Sequence, residues 1–250
     1  IASILDTPNN ILAVDYIREL ERSGGNIKPF TVKRIGADHD SVSEDEGFAS
    51  ATYIRGLIKK GDYESAFTFM PESAKEIFIQ EIGRGTAPVH IENLDTAVMS
   101  KLRTMTPDDY FILPDVSEGL ENRLYKASRD SVTLEDCAMA AKTKRYTLSR
   151  LRRIYMCAYL GIKADDYERH VPYVRALGFN DTGRKLLTEI RENVPVIIKP
   201  AGILDKEFNE EIRAQFEREA LFTDLYSLAY PALMKRLAGN EFRQSPTYLL

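Results

Sequence analysis

Ser50-Ala-Thr-Tyr-Ile-Arg55 puts two hydroxyls and an arginine within about one and a half turns of a loop-to-helix junction. Free backbone N–H groups and the positive end of the helix dipole make such a start attractive to anions. Ser50 and Thr52 add hydroxyl donors, and Arg55, one turn in, can close over a phosphate with its planar fork. Lys33-Arg34 ends a predicted strand, where ligands gather in open α/β sheets. Asn9 and Asn10, in the turn Pro8-Asn9-Asn10 ahead of a predicted helix, can offer amide donors to the same ligand.

A third group has the strongest electrostatic signal. Residues 142 to 153 read Lys-Thr-Lys-Arg-Tyr-Thr-Leu-Ser-Arg-Leu-Arg-Arg, with six basic and no acidic residues, which leaves −10 on the rest of a chain whose net charge is −4. An acidic protein with so local a basic stretch suits defined docking of a nucleic acid more than bulk coating. Lys142, Lys144, Arg145, Arg150, Arg152 and Arg153 are the candidate phosphate contacts, and Tyr146 is a candidate stacking platform for an unpaired base. Other constellations fail. Gly178-Phe-Asn-Asp-Thr-Gly183 has the glycine interval of a phosphate loop, but Arg184 and Lys185 stand where Lys and Ser/Thr belong. It reads as a turn before a helix. His39, His90 and His170 are scattered, with no metal-binding or triad spacing, and no metal site is expected. His39, between Asp38 and Asp40, is the histidine best placed for a role.

These residues need elements to hold them. Apolar Ile11, Leu12, Val14, Ile17 and Leu20 recur at helical spacing up to Ser23-Gly24-Gly25. Pro29 to Ile35 is rich in β-formers and is predicted to be a strand, and the acidic stretch 37–47 a surface loop. Ser50 is the predicted N-cap of the next helix. Beyond residue 61 the pattern is almost wholly helical, over roughly 62–69, 71–83, 93–104, 116–128, 133–142, 147–160, 181–192, 205–218 and 222–237, with one strand at 194–199. Thr133 to Asp136 resembles a capping box, and Pro71 and Pro107 sit at first-turn positions.

The 250 residues, 44% hydrophobic and 29% charged, fit one large or two small globular domains and exclude a disordered or fibrous chain. No stretch is long and apolar enough to span a bilayer, and no membrane partner is expected. Cys137 and Cys157 lie among apolar residues of predicted helices, without zinc spacing, which fits a reducing, cytoplasmic setting.

Taken in order, Pro8-Asn-Asn-Ile-Leu-Ala-Val-Asp-Tyr16, Thr31-Val-Lys-Arg-Ile-Gly-Ala37 with His39-Asp40, and Ser50 to Arg55 resemble the later half of the adenylyltransferase-like domain of the bacterial tRNA(Met) cytidine acetate ligases. Glu118-Gly-Leu-Glu-Asn-Arg-Leu124, Lys142 to Thr147, Arg175-Ala-Leu-Gly-Phe179 and Asp224-Leu-Tyr226 resemble blocks of that family's helical domain. The resemblance implies an α/β remnant of a nucleotidyltransferase (Rossmann-like) domain over 1–60, followed by a mainly α-helical tRNA-binding domain over 61–250. It implies a ligase that activates acetate with ATP, accompanied by magnesium, and acetylates N4 of the wobble cytidine of elongator tRNA(Met). Asn9, Asn10 and Arg34 would then touch the nucleotide, Ser50, Thr52 and Arg55 its phosphates, and the 142–153 cations the tRNA; no catalytic residue is assigned. The family's opening strand and His-x-Gly-His motif have no counterpart here, so the chain is expected to be an incomplete part of the enzyme that does not adenylate acetate alone. Two alternatives are a non-catalytic helical nucleic-acid-binding protein, with 133–160 as a helix-turn-helix, and a nucleotidyltransferase that makes a dinucleotide cofactor.

Overall fold

The computed structural model describes residues 8–24, 26–32, 44–45, 48–117, 119–168, 170–204 and 208–249. The chain divides into two compact units, Ile1–Phe69 and Met70–Leu250.

In the first unit, helix α1 (Pro8–Ser23) starts at Pro8, one turn earlier than the apolar pattern predicts. Proline fits the first turn because its missing N–H would have had no partner there. Asn9 and Asn10 are therefore exposed first-turn residues and do not form a turn ahead of the helix. The strand expected at 29–35 is not present over its described part: residues 29–32 have no regular structure, and Phe30 is 90% exposed. β-formers alone do not make a strand without a ladder partner, and none pairs with them among the described residues. The acidic stretch expected to be a loop contributes instead to a short hairpin. Strands β1 (Glu44–Asp45) and β2 (Phe48–Ala49) pair antiparallel, Glu44 opposite Ala49 and Asp45 opposite Phe48. Helix α2 (Ala51–Lys59) follows at the predicted place, then α3 (Tyr63–Thr68), where Asp62 Oδ1 accepts from the Ser65 N–H at 3.2 Å.

The second unit is mostly helical. Helix α4 (Glu72–Arg84) ends at Gly85, whose φ of 75° is left-handed and whose missing side chain leaves room for Ala232. A Cβ there would run into that of Ala232, so this position requires glycine twice over. Next come α5 (Asp95–Thr104), α6 (Pro107–Phe111), α7 (Leu120–Asp130), α8 (Leu134–Ala141) and α9 (Leu148–Leu160). Their buried residues recur at helical spacing: Leu120, Leu124 and Ala127 on α7, and Leu151, Ile154, Tyr155 and Ala158 on α9. Together with Val98, Leu102, Tyr110, Cys137 and Ala141 they form one core. Burying a leucine of this kind stabilises the fold by roughly 2 kcal/mol.

Polar groups fix the helix ends. Thr133 Oγ1 accepts from the Asp136 N–H at 3.1 Å, the forward half of the predicted box, and Asp95 Oδ1 accepts from the Leu134 N–H at 2.9 Å. Arg129 donates to the carbonyls of Arg103 at 2.5 Å and Met105 at 2.9 Å, a cation placed where the α5 dipole is negative.

In this unit three two-residue strands, among the described residues, went unforeseen. Strand β3 (Val174–Arg175) pairs parallel with β5 (Val196–Ile197), within the predicted 194–199 strand, and β4 (Gly178–Phe179) pairs parallel with β6 (Thr247–Tyr248). Helix α10 (Asp181–Arg191) begins where the glycine-spaced turn was predicted to end, with Asn180 Oδ1 accepting from the Gly183 N–H at 2.9 Å. The helices expected at 205–218 and 222–237 are a single α11 (Glu210–Ser227). Nothing between Glu219 and Phe222 breaks a helix, whereas Pro231 prevents one from continuing to 237. Tyr173, Ile197, Ile203, Ile212, Phe216 and Ala220 make a second core beneath α11.

Candidate functional site

The start of α2 has the form its sequence predicts. Ser50 is extended, with φ −69° and ψ 154°, and its Oγ accepts from the Tyr53 N–H at 3.0 Å. Ser50 is only 3% exposed, so it holds the helix start from within. Arg55 stands exposed one turn in, its Nη2 3.4 Å from Thr52 Oγ1, so both side chains lie on one face of α2. This arrangement gives a dipole end, a hydroxyl and a guanidinium on a single helical ramp, which suits a phosphate. Arg34 and His39 lie outside the described residues. Among the described residues no three His, Cys, Asp or Glu side chains converge to hold a metal ion.

In the basic stretch 142–153, the sequence does not reveal what faces the cations. Arg152 forms a two-pronged ion pair with Glu135, Nε to Oε2 at 2.8 Å and Nη2 to Oε1 at 2.6 Å. Arg153 pairs with Asp115, Nη2 to Oδ2 at 2.6 Å, and Arg150 Nη2 donates to the Asp115 carbonyl at 2.5 Å. The Arg152 hydrogen bond holds the Glu135 carboxyl below its usual range. Half of the apparent basic stretch is thus engaged within the protein by Glu135 and Asp115, acids 17 and 38 residues away in sequence from Arg152 and Arg153.

Tyr146 differs from expectation more sharply. It is 7% exposed and belongs to the core, with the Arg145 and Arg150 guanidinium groups 5.6 and 5.2 Å from its ring centre. A ring buried for its apolar area and covered by cations offers no open face to a base. Lys142 and Lys144 are exposed, with Lys142 closing the C-terminal end of α8.

The structure also brings forward residues that the sequence reading passed over. Asn122, Arg123 and Lys126 on the outer face of α7 line a hollow of about 420 Å³ with Ala127, Asp130 and Ala140. Arg123 stands three residues before Lys126, and both are exposed at the edge of the buried Leu120–Leu124–Ala127 stripe, a helical-face signal the sequence already contained.

The comparisons with known proteins bear on the family and the fold. Residues 1–241 match the model of the HIGH nucleotidyl transferase family, and the chain belongs to that family. Within it, the chain is similar to curated tRNA(Met) cytidine acetate ligases: 36% identical over 246 residues to that of Thermoanaerobacter sp. (strain X514), covering 97% of this chain and 60% of the relative. It is 34% identical over 257 residues to that of Acetivibrio thermocellus, covering 98% and 61%. Its structure resembles Thermotoga maritima TmcAL in the apo form, with TM-score 0.89 and 29% identity over 98% of this chain and 61% of that one. The same protein bound with alpha-thio ATP gives TM-score 0.86 and 28% identity over 98% and 60%. The chain thus spans about 60% of the length of the curated relatives it matches.

Proposed function

We propose that this chain serves an ATP-dependent acetate ligase that acetylates N4 of the wobble cytidine of elongator tRNA(Met). The observation that carries this reading is the likeness, along nearly the whole chain, to a TmcAL structure holding an ATP analogue. In this reading the first 60 residues are the later half of a Rossmann-like nucleotidyltransferase domain, and the helices beyond them dock tRNA in the cytoplasm.

The chemistry asks two things of these residues. An acetate oxygen attacks the ATP α-phosphorus, a new P–O bond forms, and the bond to the β-phosphate breaks to release pyrophosphate. The cytidine N4 then attacks the acetyl carbonyl, AMP leaves with the bonding pair, and N4 gives up a proton. In the first step two anions meet, so fixed positive charge must accompany the phosphates. The start of α2 and Arg55 supply it here and Thr52 adds a hydroxyl donor, with Asn9, Asn10 and Arg34 proposed to hold the nucleoside side. Magnesium would neutralise phosphate charge; the described residues build no ligand set for it, and no step is assigned to it.

Acetate-dependent exchange of pyrophosphate into ATP tests this reading. The 250-residue chain by itself is expected to show none. Joined in one polypeptide to the part of the Thermoanaerobacter relative that it does not match, it is expected to exchange, and Arg55→Ala should slow that exchange by about 10²-fold. Exchange that ignores acetate, or that is untouched by Arg55→Ala, would refute the assignment.

A further inference from the structure

The groove between α7 and α8 has no part in the chemistry above. Its wall on α7 carries Arg123 and Lys126, one turn apart, and Asn122, whose amide nitrogen donates to Glu121 Oε1 at 2.7 Å. Its wall on α8 ends at Ala140, two residues before Lys142, and Lys144 follows in the next loop. Among the described residues no hydrogen bond or ion pair ties down Arg123, Lys126, Lys142 or Lys144, all of them exposed. Asp130 is the one acid on the groove wall. The contrast with α9 is direct: Arg152 and Arg153 point at carboxylates, so engaging a phosphate there would mean breaking an ion pair first.

We propose that the α7–α8 groove, through Arg123 and Lys126 with Lys142 at its end, is where the RNA backbone docks, in place of the arginines of α9. This rests on the reading of the chain as part of a tRNA-modifying ligase. An arginine fork grips a phosphate in two places, a lysine one turn on meets another as a point charge, and the Asn122 amide beside the arginine can hydrogen-bond a ribose 2′-hydroxyl. Such contacts fix position and orientation without reading sequence.

Fluorescence anisotropy of the 250-residue chain with an unmodified elongator tRNA(Met) transcript, and with duplex DNA of similar length, at 50 to 200 mM salt tests the proposal. Arg123→Glu with Lys126→Glu should weaken tRNA binding at least about tenfold and flatten the log–log salt slope by about 1.4 to 1.8, at roughly 0.7–0.9 per lost phosphate contact. Arg152→Gln with Arg153→Gln should leave the slope as it is. Thermal melts check folding; should the glutamates disturb it, Arg123→Gln with Lys126→Gln is read instead and should lose a similar slope. An unchanged slope in the α7 variant while the unaltered chain binds tRNA overturns the groove and leaves the function standing. Duplex DNA bound as tightly as tRNA overturns RNA as the occupant. No tRNA binding by the unaltered chain overturns the reading of function, and the groove with it.

Discussion

Ile17 on α1 keeps 43% of its surface exposed, whereas Ile154 on α9 keeps none. The same pattern holds across each unit. In the first, Ile11, Leu12, Tyr16 and Phe30 are exposed, and Ser50 and Ala66 are its buried residues among those described. In the second, five helices close on a continuous core of leucines, tyrosines and small residues. Local signals such as capping and periodicity suffice to form an element, but they do not bury it. Among the described residues, the first unit shows its local caps and few buried apolar side chains, and the second a continuous packed core.

Cutting into both cores measures the difference directly. Leu124→Ala, which removes a fully buried side chain beneath α7, should lower unfolding free energy in urea by about 3 kcal/mol, and Ile17→Ala by less than about 1. Equal losses would dissolve the contrast.

A smaller effect appears in alkali. Burial pushes the Tyr110 hydroxyl up to about 12 from 10.0. The folded state therefore keeps a proton that the unfolded state releases, and that share of stability is complete below pH 10 and lost as pH climbs toward 12. Tyr110→Phe should flatten the fall in stability across that window by up to one proton, and an unaltered profile would move the alkaline sensitivity elsewhere.

The smallest effect lies on the acid side. Glu135, held low by Arg152, contributes stability that is present above its ordinary 4.5 and fades as pH falls through its lowered value. The pair is about half exposed, so Glu135→Gln should cost a few tenths of a kcal/mol at pH 7 and progressively less as pH falls below 4.5. A deficit that persists in acid would show packing rather than charge.

What the sequence made legible follows the same division. The Ser50 cap, the α9 start at Thr147 and the turn before α10 are read within three or four residues, and they stand where the pattern puts them. The fate of the basic stretch needed the partners of Arg152 and Arg153, which approach only after α7, α8 and α9 have packed. Tyr146 looked like a surface ring because its sequence neighbours are charged; its environment comes from the core beneath it. The bridges at 174–175 with 196–197 and at 178–179 with 247–248 are two residues long, too short for any alternation to show.

Asp115 is the one non-glycine residue with positive φ among those described, at 62°, a conformation aspartate tolerates better than most side chains do. In that pose its carboxylate takes Arg153 while its carbonyl takes Arg150, three residues earlier on α9. One backbone twist in a loop therefore works as a clasp on two guanidinium groups and sets how much positive potential that helix shows to the outside. Loosening this single residue would change the electrostatic character of a whole face without altering any basic side chain.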